Sequence, residues 1–127
     1  MEKQALNTPA APAAIGPYSQ GIMAGQTVYV SGQLPIDPAT SAFPSDDIAA
    51  QTRQSLQNVQ AILASAGMTM ANVVKTTVLL ADITDFAAMN DVYAEFFAAP
   101  YPARAAFQVA ALPKGAKVEI EAVAVQA

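Results

Sequence analysis

The sequence predicts an α+β layer fold: two amphipathic helices on one face of a six-stranded sheet, mostly antiparallel or mixed. Three observations predict it. Val73 to Ala81 (VVKTTVLLA) is rich in β-branched residues, as strands are. Lys117 to Ala122 (KVEIEA) alternates polar and apolar, the pattern of an antiparallel strand with one face in a core. Two further segments carry apolar residues every three and four positions, the period of a helix with one buried side.

The chain begins, over residues 1–14, as a short edge strand that passes into a linker holding Pro9 and Pro12. Gly16-Pro17-Tyr18 is a turn signal followed by an aromatic residue. Gln20 to Ala24 and Thr27 to Val30 form a hairpin about Gly25-Gln26, and its second strand ends at Ser31-Gly32. Pro35, Pro38 and Pro44 make Leu34 to Pro44 a loop. Ser45 caps the first helix, with Asp46 and Asp47 at its positive end, and the helix runs to about Ala66 before Gly67 stops it. Its stripe is Leu56, Val59, Ile62 and Leu63, with Gln54, Gln57, Asn58 and Gln60 largely off it. After the Val73 strand, Asp82 to Asp85 turns the chain and caps a second helix, Phe86 to Ala98. Phe86, Met89, Tyr93 and Phe96 form its core stripe, and Asn90 sits at the stripe's edge. The stretch from Pro100 to Ala122 reads as two strands, Ala103 to Ala110 and Ala116 to Val125, joined by Leu-Pro-Lys-Gly.

A length of 127 residues suits one domain spanning 1–127. The chain is 54% hydrophobic and 13% charged, which asks for a partner surface made of copies of itself. No apolar run approaches the ~20 residues a membrane helix needs. The absence of cysteine and histidine excludes disulfides, thiol nucleophiles, Ser-His and Cys-His triads and the usual zinc ligands, so no metal is expected. A net charge of −4 with six scattered Lys and Arg offers no stripe for nucleic acid. No Gly-x-Gly-x-x-Gly follows a strand, so no nucleotide cofactor is expected. The N-terminal MEKQALNT lacks a basic-then-apolar signal pattern, which places the chain by default in the cytoplasm.

Chemistry concentrates in the Pro100 to Ala122 stretch. Arg104 is the only arginine in the second half of the chain, and Glu119 and Glu121 share the polar face of the last strand. Such charges ordinarily keep a sheet face wet. The functional reading is that Arg104 grips a carboxylate with its planar fork while a glutamate orients or activates a water. Tyr18 reads either as a half-buried turn residue or as part of a site, and Ser31 either as a turn hydroxyl bonded to local backbone or as a ligand contact.

The residues that carry a resemblance are Pro102-Ala103-Arg104, Leu112-Pro113 and Val118-Glu119-Ile120-Glu121, with Gly16-Pro17-Tyr18-Ser19-Gln20, Ser31-Gly32-Gln33 and Asn90 to Phe97 upstream. In this order they resemble the RidA (YjgF/UK114) family of reactive-intermediate deaminases over nearly the whole chain. The resemblance implies a chorismate-mutase-like fold and a homotrimer with its sheets around a three-fold axis and clefts between subunits. It implies hydrolysis of 2-imino acids to 2-keto acids and ammonia, without metal or cofactor. It carries Arg104 over as the carboxylate anchor and Glu119 as the group that positions water, with Tyr18, Ser31, Gly32, Asn90 and Ala106 around the substrate. Glu121 is the structural acid of the pair. Many relatives hold a cysteine where this chain has Ala106, so a thiol takes no part here, although backbone groups at that position remain. Two other readings stand beside the deaminase. One is a non-catalytic module that binds small keto acids through the same residues. The other is an endoribonuclease, against which the acidic balance and the missing histidine argue.

Overall fold

The computed structural model describes residues 2–127, so Met1 of the expected first strand lies outside it. Strands β1 (Lys3–Leu6), β2 (Gly21–Ala24) and β3 (Thr27–Gln33) precede helix α1 (Ile48–Ala64). Then come β4 (Val73–Leu80), α2 (Phe86–Phe96), β5 (Ala103–Gln108) and β6 (Val118–Val125). The six strands form one sheet in the order β1-β2-β3-β6-β4-β5. All neighbours are antiparallel except β4 and β5. The expected α+β fold with a mixed sheet is therefore present.

The last two strands lie apart in the sheet. They are not neighbours: β5 lies at the sheet edge beside β4, while β6 crosses over to lie between β3 and β4. The Pro113–Gly115 segment is a 3-10 turn in which both Lys114 (φ 59°) and Gly115 (φ 70°) are left-handed, and this reverses the chain toward the sheet centre. The β6 position lies inside the sheet, and Val118, Ile120, Ala122 and Ala124 all turn inward. β3 also continues past Val30, through Ser31 and Gly32 to Gln33, with a register shift between Val30 and Gln33.

The helices cover one face. Leu56, Val59, Ile62 and Leu63 of α1 are almost fully buried and cluster with Val28 and Val30 of β3 and the inward residues of β6. The N-cap of α1 is Asp47 rather than Ser45. The Asp47 carboxylate reaches the Ala50 N–H at 3.0 Å, while Ser45 Oγ accepts from the Asp47 N–H and closes the turn before it. The helix ends at Ala64, and Gly67 (φ 74°) carries the chain onward. Asn58 lies inside rather than off the buried stripe. It is fully buried, and its Nδ2 donates to the Leu34 and Ile36 carbonyls, pinning the proline-rich loop. Gln51, seven residues earlier, works the same way: Nε2 donates to Ser45 O, and Oε1 accepts from the Lys117 N–H just before β6.

Gln20 holds the N-terminal linker. Its side chain is buried, donates to the Thr8, Ala11 and Pro12 carbonyls, and accepts from the Thr8 N–H. Proline-rich backbone has few donors of its own, so one amide side chain serves several carbonyls at once. Gln20→Ala leaves these groups without partners and is expected to cost about 2–4 kcal/mol. Thermal unfolding should show a Tm lower by roughly 10 °C.

Candidate active site

Arg104 enters β5 level with Thr76 of β4. The Thr76 side chain is buried on the helix-covered face and bonds Tyr93 of α2, so Arg104 emerges on that same face. Its Nη1 donates to Asn90 Oδ1 at 2.7 Å. Its guanidinium carbon lies 4.8 Å from the Tyr93 ring centroid and 5.4 Å from that of Phe86. No carboxylate pairs with it among the described residues; the ion pair there is Arg53 with Glu95, a surface link between the two helices. The guanidinium is thus oriented by neutral groups, and its charge is left free for an anion. Around it opens a cleft of about 490 Å³ lined by Asn90, Tyr93, Ala94, Tyr101, Pro102 and Arg104.

Glu119 lies elsewhere. In β6 the inward residues are Val118, Ile120 and Ala122, so Glu119 and Glu121 project from the open face of the sheet. Glu119 is half-buried there. A second cleft, of about 470 Å³, brings it together with Tyr18, Ser31, Gly32 and Glu121. The β3 bulge sets Ser31 and Gly32 beside the carboxylate. A Cβ on Gly32 would overlap Glu119 Oε2, so only glycine lets the acid lie there. Ser31 Oγ donates to the Ser19 carbonyl, the local backbone bond open to a turn hydroxyl, while its oxygen can still accept. Tyr18 is half-exposed at the rim. Burial pushes the Glu119 carboxyl above the usual carboxylate range, and the Glu121 charge two residues on pushes it the same way.

The expected site residues therefore divide. Asn90 and Arg104 meet in one cleft, and Tyr18, Ser31, Gly32 and Glu119 meet in another. The sheet lies between the two. Ala106 follows Arg104 along the helix-covered face, packs against the core, and lines neither cleft. Among the described residues no cluster of acids could hold a metal ion. The roles of Phe86 and Tyr93 were hidden in the sequence by their place in the core stripe. Their one signal is spacing, since Phe86, Asn90 and Tyr93 fall at four and three on one helix face.

The family model described as Endoribonuclease L-PSP matches residues 8–126. Over 124 residues the chain is 54% identical to the 2-iminobutanoate/2-iminopropanoate deaminase of Capra hircus, covering 98% of this chain and 90% of that one. The chain belongs to the RidA (YjgF) family. The human RidA relative of the same name is 51% identical with the same coverage. Among solved RidA-fold structures, E. coli TdcF with bound serine superposes with a TM-score of 0.94 at 46% identity, covering 98% of this chain and 99% of that one. RidA from the Antarctic bacterium Psychrobacter sp. PAMC 21119 gives 0.93 at 48% identity, covering 97% and 99%.

Proposed function

We propose that this chain hydrolyses 2-imino acids to 2-keto acids and ammonia, in sites that form where the Arg104 cleft of one copy meets the Glu119 cleft of another. The observation that carries the reading is the free, pre-oriented guanidinium of Arg104, a carboxylate anchor with no carboxylate of its own. Deaminase relatives at about 50% identity support the reaction, and the serine bound in TdcF supports a small amino-acid-like carboxylate as ligand.

Arg104 binds the carboxylate and fixes the imine carbon. Glu119 takes a proton from water as its oxygen adds to C2 and passes it to the imine nitrogen, giving a carbinolamine; it then takes the hydroxyl proton and delivers it to nitrogen as the C–N bond breaks, so that C=O forms and ammonia leaves. A carboxyl pushed up by burial and by the Glu121 charge suits a group that must both accept and return a proton. Tyr18, Ser31 and Gly32 line the water's side, and Asn90 holds Arg104. Neither metal nor cofactor takes part in these steps.

The assembly is a homotrimer in this reading. The sheet face opposite the helices bears Tyr29, Leu79, Phe107 and Val123 with no layer over it, and Tyr29 and Phe107 are half-exposed. Burying that face against copies explains both the low charge and the division of the site. RNA cleavage, which the family description names, draws no support from a chain with net charge −4 and no histidine.

The test is decay of 2-iminopropanoate generated in place by an amino-acid oxidase. The chain should accelerate it, and Arg104→Ala should lower kcat/KM by about a hundredfold, the loss of roughly 3 kcal/mol of charge-assisted hydrogen bonding. Binding of 2-oxobutanoate with no acceleration by the wild type would turn the reading to a keto-acid-binding module.

A further inference from the structure

We propose that Tyr93 is a positioning residue for Arg104: its hydroxyl, tethered to Thr76, fixes the ring against which the guanidinium lies and so sets the direction in which the fork meets a carboxylate. The proposal rests on the reading of Arg104 as the carboxylate anchor.

The tether is buried. Thr76 Oγ1 and Tyr93 OH are 2.7 Å apart, and the two residues are 1% and 5% exposed. A Val–Phe pair would fill nearly the same space with no polar atom to satisfy, so packing alone does not call for the two hydroxyls. What the bond adds is direction. Thr76 lies level with Arg104 on the neighbouring strand. The bond therefore ties α2 to the sheet at the height where the arginine leaves it. The Tyr93 ring also packs against Phe97, with centroids 4.6 Å apart. A ring fixed at its hydroxyl and packed by Phe97 is a rigid plate for the guanidinium 4.8 Å away.

Asn90 takes Nη1, and the remaining guanidinium N–H groups have no partner among the described residues. Arginine has several rotatable bonds and is exposed here, so without a plate it would sample many directions and lose that freedom on each binding event. The stripe Phe86–Asn90–Tyr93 removes it beforehand. Tyr93 acts through Arg104 alone; nothing in this role requires it to touch substrate.

The experiment compares Tyr93→Phe and Tyr93→Leu in the wild-type chain and in an Arg104→Lys background. It reads the Kd of 2-oxobutanoate by calorimetry together with KM and kcat for 2-iminopropanoate. Tyr93→Phe keeps the ring and loses the tether; it should weaken binding and raise KM by about threefold to fivefold, with kcat within about twofold. Tyr93→Leu loses the plate as well and should cost about tenfold or more. In the Arg104→Lys background the cost of Tyr93→Phe should fall below about twofold, because a compact ammonium has no fork to aim. Wild-type Kd and KM in Tyr93→Phe, or equal losses in both backgrounds, overturns the proposal. Should Tyr93→Leu fail to fold, Tyr93→Phe decides alone. The underlying reading fails separately: Arg104→Lys by itself would then bind 2-oxobutanoate at wild-type strength.

Discussion

A mixture of Arg104→Ala and Glu119→Gln subunits, each inactive alone, should regain about a quarter of the wild-type activity when the two are co-expressed and assembled at random. The expectation follows from the sheet. Arg104 leaves β5 on the face covered by the helices, and Glu119 leaves β6 on the open face. One small substrate cannot touch both within a single chain. In the proposed closed ring, each site would take its arginine from one subunit and its glutamate from the next. The arginine comes intact from a Glu119→Gln subunit and the glutamate from an Arg104→Ala subunit, so one pairing in four is whole. A mixture that stays inactive, with mixed assemblies confirmed by mass, would mean that no site joins the arginine of one subunit to the glutamate of another. Activity in the single Glu119→Gln variant would instead mean that Glu119 is dispensable.

This division of the site was only partly legible in the sequence. The alternation in Lys117 to Ala122 puts Glu119 and Glu121 on one face of their strand and the core residues on the other, and the structure agrees for these acids. Arg104 carries no such signal. Its strand is Ala-Arg-Ala-Ala-Phe-Gln, with no apolar face to define inside and outside. Which face it takes is set by parallel register with β4, and register between distant strands is not written in local pattern.

The same limit explains the placement of β6. Sequential strands often pair, so two strands joined by a tight turn suggest neighbours. The apolar side of β6 instead fills the centre of the sheet, while β5, with little to bury, takes the edge. The helices were legible because their apolar stripes repeat. The buried amides were not, because hydrophobic periodicity counts Gln51 and Asn58 as surface. Their spacing of seven, in line with Ser55 and Ile62 on one side of α1, is the signal that they face inward. The cap shifted from Ser45 to Asp47 for a related reason. Ser45, Asp46 and Asp47 are all capable caps, and the choice falls to the side chain that reaches a free N–H three residues on.

Glu119 should set the acid limb of the pH profile. After subtraction of the uncatalysed decay, kcat/KM is expected to fall as pH drops through the Glu119 pKa, because only the ionised carboxylate can take a proton from water. The inflection should lie above the usual carboxylate range, since burial and the Glu121 charge both raise this group. Glu121→Gln removes the like charge and should move the inflection to lower pH, though not fully to an ordinary value, because burial remains. Glu119→Gln should remove the limb and lower kcat/KM by roughly 10²–10⁴. Stability should move in the opposite sense. A carboxyl whose folded-state pKa is raised costs stability where it is ionised, and the cost is relieved as pH falls through that pKa. Glu119→Gln should therefore melt above the wild type at neutral pH, and the gap should close in acid. A less active but more stable variant, with the two differences fading over the same pH interval, would mark Glu119 as an acid held in an unfavourable setting for the sake of its proton. An unchanged acid limb in Glu119→Gln would move the base to another group.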